Sequence, residues 1–169
     1  MRIMGIDPGL TRCGVGIVDI DTQRRTSFVG VHVIRTQVDA ELPVRLLALE
    51  SELNELIKQY QPDHVAVERV FSQLNVRTAM GTAQASAVAL LNAQRSAIPT
   101  SMYTPTEVKA AVTGYGRADK AQVTTMVTRL LNLKVIPKPA DAADAIALAL
   151  CHAMRGTAVA RLAQAGVRS

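Results

Sequence analysis

Short apolar runs that end in turn residues mark the first part of the chain. The first run, at residues 3–6, stops at Asp7, which is followed by Pro and Gly. This pattern is typical of a buried strand that carries a carboxylate at its end. Two further strands are predicted over residues 13–21 and from Thr26 to Thr36, joined by a polar connection. The chain is therefore expected to open with a three-stranded meander.

A helix and a fourth strand are predicted next, and together they return the chain to the same edge of the sheet. From about Asp39 to Tyr60, Leu and Ile recur at spacings of three and four, which predicts an amphipathic helix. Residues 64–71 then predict a strand that contains Glu68. A strand, a crossover helix and a second strand form a right-handed unit with parallel strands. If the two strands are neighbours, Glu68 and Asp7 end on backbones about 5 Å apart.

The second half of the chain predicts helices around one short strand. The small-residue helix at 74–96 suits close packing against the sheet or against a second subunit. Thr104, followed by Pro and then by Glu107, has the pattern of a capped helix start. The predicted elements are a helix over 74–96, a strand over 99–103, and helices that begin at Thr104, before Val123 and at Pro139.

Length and composition indicate one globular domain. The chain has 169 residues, of which 49% are apolar and 20% are charged. We expect this domain to cover residues 1–154 and a flexible tail to cover 155–169. The sequence contains no apolar run near the ~20 residues that span a bilayer and no cleavable signal, which predicts a cytoplasmic location. Cys13 and Cys151 stand alone, so free buried thiols are expected instead of a zinc site or a disulfide framework.

The positive charge of the chain is concentrated in one segment. The net charge is +5, and between residues 109 and 138 six basic side chains accompany one acid, Asp119. Such a segment is either a solvated face or a surface for a polyanion such as nucleic acid. The six basic residues are Lys109, Arg117, Lys120, Arg129, Lys134 and Lys138.

Two acids, Asp141 and Asp144, lie three residues apart near the start of the last predicted helix. An acid there needs no functional explanation, since the helix dipole stabilises it by about 0.3–1 kcal/mol. Likewise, Asp7 could merely cap a turn and Glu68 could be an exposed strand end. Together, however, the four acids can form a cluster of oxygen ligands, which Mg²⁺ and Mn²⁺ prefer.

Four carboxylates beside a basic segment would repel a phosphodiester unless cations lie among them. In a two-metal arrangement, one ion lowers the pKa of the attacking water and the other stabilises the leaving 3′ oxygen, with the ions about 4 Å apart. The pattern therefore favours metal-dependent hydrolysis of a nucleic-acid backbone.

Four motifs, in this order, resemble the RuvC family of Holliday-junction resolvases. The resemblance implies an α/β fold of the ribonuclease H-like type, a five-stranded mixed sheet flanked by helices on both faces. It also implies an endodeoxyribonuclease that resolves four-way junctions by paired symmetric nicks, leaves 5′-phosphate ends and acts in DNA recombination and repair. The motifs are GIDPGLTRCG (5–14), AVERVFSQLN (66–75), EVKAAVTGYGRADKAQV (107–123) and PADAADAIALALCH (139–152).

The same resemblance assigns roles to individual residues and implies partners. It implies two Mg²⁺ ions per active site, with Mn²⁺ as a substitute, and a homodimer that acts on junction DNA beside the RuvA and RuvB branch-migration proteins. The metal-binding catalytic acids would be Asp7, Glu68, Asp141 and Asp144. The DNA-binding residues would be Phe71, Lys109, Arg117 and Lys120.

Three alternatives share part of the pattern. A YqgF-type nuclease acting on structured RNA has a similar opening motif but is typically shorter. Sugar kinases and Hsp70-type ATPases also begin with such a strand and turn, but they need two such lobes, for which this chain is too short. A non-catalytic junction-binding module would not need four acids.

Overall fold

The computed structural model describes residues 1–69, 76–135, 137 and 139–166. Three strands come first, helices and strands then alternate as far as β5, and three helices follow. The elements are β1 (Arg2–Asp7), β2 (Arg12–Ile20), β3 (Thr26–Arg35), α1 (Leu42–Tyr60), β4 (His64–Glu68), α2 (Val76–Arg95), β5 (Thr100–Tyr103), α3 (Pro105–Thr113), α4 (Lys120–Leu130) and α5 (Ala140–Gly166).

The strands form a mixed sheet with the order β3-β2-β1-β4-β5. The first three strands pair antiparallel as a meander, and β1 pairs parallel with β4 through the crossover that contains α1. The predicted meander, the parallel return and the five-stranded mixed sheet are thus confirmed.

Helices cover both faces of this sheet. Side chains alternate along β1, so that Ile3 packs with α3, α4 and α5, whereas Met4 and Ile6 pack with α1 and α2. By the same alternation, Asp7 emerges on the face that α5 covers. The expected helices on both faces are therefore confirmed, and the carboxylate that ends β1 points toward the start of α5.

Two glycines bring α5 into direct contact with the sheet. Gly5 and Gly16 are partners across β1 and β2. A Cβ added at Gly5 would lie 2.6 Å from the Ala149 backbone nitrogen, and one at Gly16 would lie 2.6 Å from the Ile146 nitrogen. Real Cβ atoms do not approach backbone this closely. The helix backbone therefore rests on strand backbone, which holds the start of α5 at the ends of β1 and β4.

Several local expectations are confirmed and some boundaries differ. The capping box between Thr104 and Glu107 is present, and both cysteines are buried and free. The strand predicted over 64–71 ends at Glu68 as β4, and residues 70 and 71 lie outside the described residues. Helix α5 crosses the expected boundary at residue 154 and continues to Gly166. A flexible tail over 155–169 stays a prediction.

A helix that crosses a bilayer must be long and predominantly apolar. None of the described helices, over the ranges given above, has the length and apolar character that crossing a bilayer requires.

Replacing Gly5 by Ala should destabilise the protein, because the new methyl group would force α5 away from the sheet. Overpacking of this kind costs about 1–3 kcal/mol. The control is Gly81→Ala in α2, where the nearest atom to the added Cβ is 3.6 Å away and Ala is the better helix former. Urea unfolding compares the variants, and equal midpoints for Gly5→Ala and wild type would contradict the contact.

Candidate active site

The four predicted acids come from three separate segments and lie at one edge of the sheet. Asp7 ends β1 and Glu68 ends β4, and these strands are parallel neighbours whose preceding residues, Ile6 and Val67, are partners. Asp141 lies in the first turn of α5, and Asp144 follows one turn later. Because α5 rests on β1 and β2, its acids face the two strand ends.

The electrostatics of Asp7 show that the four acids share one environment. Burial and the negative charges of Glu68, Asp144 and Asp141 raise the pKa of Asp7 to about 8, and Lys120 opposes this shift. The pKa of Glu68 is also raised, first by burial and then by Asp144, while a hydrogen bond with Asp7 lowers it. At neutral pH without a cation, Asp7 is therefore protonated, and its carboxyl group donates a hydrogen bond to Glu68.

Two basic side chains pair with the acids of α5. Lys120, the first residue of α4, places its Nζ 3.0 Å from Asp144 Oδ2, and this contact raises the Lys120 pKa. Arg12, the first residue of β2, places its Nε 3.3 Å from Asp141 Oδ2. Lys109, on α3, acts on Glu68 and lowers its pKa. The site thus combines negative and positive groups from six elements, β1, β2, β4, α3, α4 and α5.

Arg117, a further predicted DNA-binding residue, is not joined to this cluster. It is exposed between α3 and α4, and no contact among residues 1–69, 76–135, 137 and 139–166 links it to the four acids. Phe71 and Lys138 lie outside the described residues, so their roles stay predictions. Arg12 was not predicted, although a cation that closely follows the Asp-Pro-Gly turn could have been noticed.

The donor set suits a hard divalent cation. All four candidate ligands are carboxylates, and burial together with repulsion from the other acids raises the pKa of Asp7, which a bound cation would counteract. Among the residues whose positions are described, no three acidic, histidine or cysteine side chains are already arranged around one point. Asp141 and Asp144 instead face Arg12 and Lys120.

An open groove of about 1060 Å³ leads to the site. The loop between β1 and β2 forms one wall, and the first turns of α1 and α2 form the other. Asp7 and Asp141 are among the residues that line it. Its other polar lining residues are Thr11, Arg12, Arg45, Thr78, Thr82 and Gln84.

Comparison with known families identifies this arrangement. The family model described as crossover junction endodeoxyribonuclease RuvC matches residues 3–152. The chain belongs to the RuvC family. A RuvC from Salinispora arenicola is 61% identical over 169 residues, which cover 100% of this chain and 97% of the relative. A RuvC from Streptomyces avermitilis is 62% identical over 165 residues, which cover 98% of this chain and 94% of the relative.

Solved structures agree with the family assignment. T. thermophilus RuvC in complex with Holliday junction substrate superposes with a TM-score of 0.87 at 32% identity, covering 92% of this chain and 94% of that chain. The yeast mitochondrial Holliday junction resolvase Ydc2, at 12% identity and a TM-score of 0.63, shares the fold. The RuvC resemblance and the ribonuclease H-like fold are therefore confirmed. The RNA-nuclease and non-catalytic alternatives are not favoured.

Replacing Asp7 by Asn should stabilise the metal-free protein, because Asn removes a carboxylate whose charge is disfavoured by burial and by its acidic neighbours. The native pKa of about 8 lies above the ordinary 3.8, so the folded state binds the proton more tightly and wild-type stability falls as pH rises through this interval. The advantage of Asn should be small near pH 4 and reach about 1–3 kcal/mol near pH 8.

Urea unfolding in EDTA at several pH values measures this difference. Asp19→Asn is the control, because the hydrogen bond from Arg2 lowers the pKa of Asp19, and its substitution should destabilise the protein above pH 4. If the stability difference between Asp7→Asn and wild type does not change with pH, the pKa of Asp7 is not raised in the folded protein.

Proposed function

We propose that this chain resolves four-way DNA junctions by paired nicks, and that Asp7, Glu68, Asp141 and Asp144 hold the divalent cations that this hydrolysis requires. One observation carries the proposal: the pKa of Asp7 is raised to about 8 by burial and by the three other acids. Carboxylates with strongly raised pKa values cluster at functional sites, where their combined charge can bind a cation. Relatives named crossover junction endodeoxyribonuclease support the reaction class.

The strand-end acids and the helix acids would together hold the cations. Asp7 and Glu68 are fixed by the parallel pairing of β1 with β4, and Asp141 and Asp144 by the contact of α5 with the sheet. We assign two Mg²⁺ ions to the site, replaceable by Mn²⁺. When bound, such cations lower the pKa of an attacking water and stabilise a leaving 3′ oxygen.

The basic side chains around the acids complete the substrate site. Lys120 and Lys109 lie close enough to lower the pKa of Glu68, so they can also neutralise a phosphate beside it. Phosphate contacts of this kind position the strand without reading its sequence. We assign these lysines to the strand being cut, and Phe71 and Arg117 to the surrounding junction.

Paired nicks require two sites related by symmetry, which a homodimer provides. Helix α2 exposes apolar side chains at helical spacing: Met80 is 58% exposed, Leu91 is 49% exposed, and Ala87 lies between them on the same side. We propose this stripe as the dimer contact. Action beside RuvA and RuvB is a further proposal from the resemblance. A cytoplasmic location is a proposal from the sequence pattern.

Purified protein with Mg²⁺ should nick a synthetic four-way junction at symmetric positions in two strands and spare linear duplex. Asp7→Asn should still bind the junction but cut it more than about 100-fold more slowly, since a ligand of the catalytic cations is lost. Denaturing gels and 5′-end analysis measure the cuts, with Asp19→Asn as an active control. Undiminished cutting by Asp7→Asn would remove Asp7 from the mechanism.

Leu91→Asp should weaken the dimer by at least about tenfold, because it places a charge in an apolar contact. The control is Leu47→Asp on α1, a leucine that is 65% exposed and outside the stripe. Sedimentation across a concentration series measures the association. Equal association of wild type and Leu91→Asp would show that the dimer uses another surface.

A further inference from the structure

Arg12 occupies a position that sheet stability does not explain. It begins β2 and lies directly opposite Arg35 of β3. Like charges in such a cross-strand pair repel each other. Because partners across an antiparallel pair share a face, this repulsion favours any arrangement in which the Arg12 guanidinium moves away from Arg35.

The fold directs Arg12 to one acid of the candidate active site. Gly14, two residues further along β2, lies so close to the Asp141 backbone carbonyl that an added Cβ would overlap it. This backbone contact fixes the start of α5 beside Arg12, whose Nε then lies 3.3 Å from Asp141 Oδ2. The contact is therefore a consequence of the way α5 meets the sheet.

The ion pair is also open enough to exchange. The Arg12 side chain is 55% exposed and that of Asp141 is 23% exposed. Exposed pairs of this kind contribute little net stability. A divalent cation carries twice the charge of the guanidinium and prefers carboxylate oxygen, so it can displace Arg12 from Asp141.

We propose that Arg12 is a positioning residue with two alternative partners. It pairs with Asp141 when no cation is bound, and it turns to a backbone phosphate of the DNA once a cation binds Asp141. This inference rests on the proposed function. The released guanidinium stays in the groove, which is lined by Asp7, Arg45 and Asp141 as well as by Arg12. Arginine binds phosphate in a bidentate manner, which suits this exchange.

The cation side of the exchange is tested without DNA. Mn²⁺ is titrated into the full chain, and binding is followed by calorimetry. Arg12→Gln should bind Mn²⁺ about threefold more tightly than wild type, because the competing guanidinium is gone. Arg35→Gln loses the same charge at the same end of the sheet without touching Asp141, and it should change the affinity by less.

The phosphate side is tested by junction binding at several salt concentrations, in EDTA and in Ca²⁺. With Ca²⁺, the salt slope for Arg12→Gln should be smaller than that of wild type by about one phosphate contact. In EDTA, the two slopes should agree, because Arg12 remains on Asp141. A purely structural role would not produce this dependence on the cation.

The outcomes separate this inference from the proposed function. Equal Mn²⁺ affinity of Arg12→Gln and wild type, or the same gain in Arg35→Gln, overturns the exchange, as does a salt slope that the cation does not alter. A wild-type protein that neither binds Mn²⁺ nor cuts junctions overturns the proposed function, and the exchange with it.

Discussion

The contact between the backbone of α5 and the backbones of β1 and β2 is the constraint on which the site depends. Gly5 and Gly16 leave no side chain between helix and sheet. This contact therefore fixes the distance of α5 from the sheet as well as its direction. The first two turns of α5 lie beside the last residues of β1 and β4. A larger side chain at either glycine would change the separation of the carboxylates directly, since α5 could not keep both its packing and its position.

Close approach of these segments creates an electrostatic conflict that the fold relieves only in part. Asp7 keeps a proton, Lys120 neutralises Asp144, and Arg12 neutralises Asp141. Without bound cations, the concentrated negative charge lowers the stability of the folded protein. Proteins commonly lose stability in this way where charge is needed for function. Divalent cations would replace all three at once: the proton on Asp7, Lys120 at Asp144 and Arg12 at Asp141.

The sequence predicts the strand-end half of this site on physical grounds. The strand, helix and strand pattern predicts that Asp7 and Glu68 end at the same edge of the sheet, and that they meet if the two strands are neighbours, which they are. Asp141 and Asp144 could be joined to them only through the family resemblance, since the helix dipole explains acids at a helix start equally well. The α5 contact that brings them there is tertiary, and no local pattern encodes it.

The same reason accounts for what sequence reasoning missed. The Arg12–Asp141 pair depends on where α5 lies, and so does the stack of His64 on His152, whose ring centroids are 3.7 Å apart. Helix α5 continues past residue 154 to Gly166, so it does not end where the family motifs end. Local sequence predicts which elements form, whereas contacts between them decide which charges meet.

Anomalous diffraction from crystals grown with Mn²⁺ tests the central claim most directly. The account predicts Mn²⁺ peaks bounded by the carboxylates of β1, β4 and α5 together, with Arg12 no longer on Asp141. Mn²⁺ bound at only one of these segments, or elsewhere on the molecule, would contradict it.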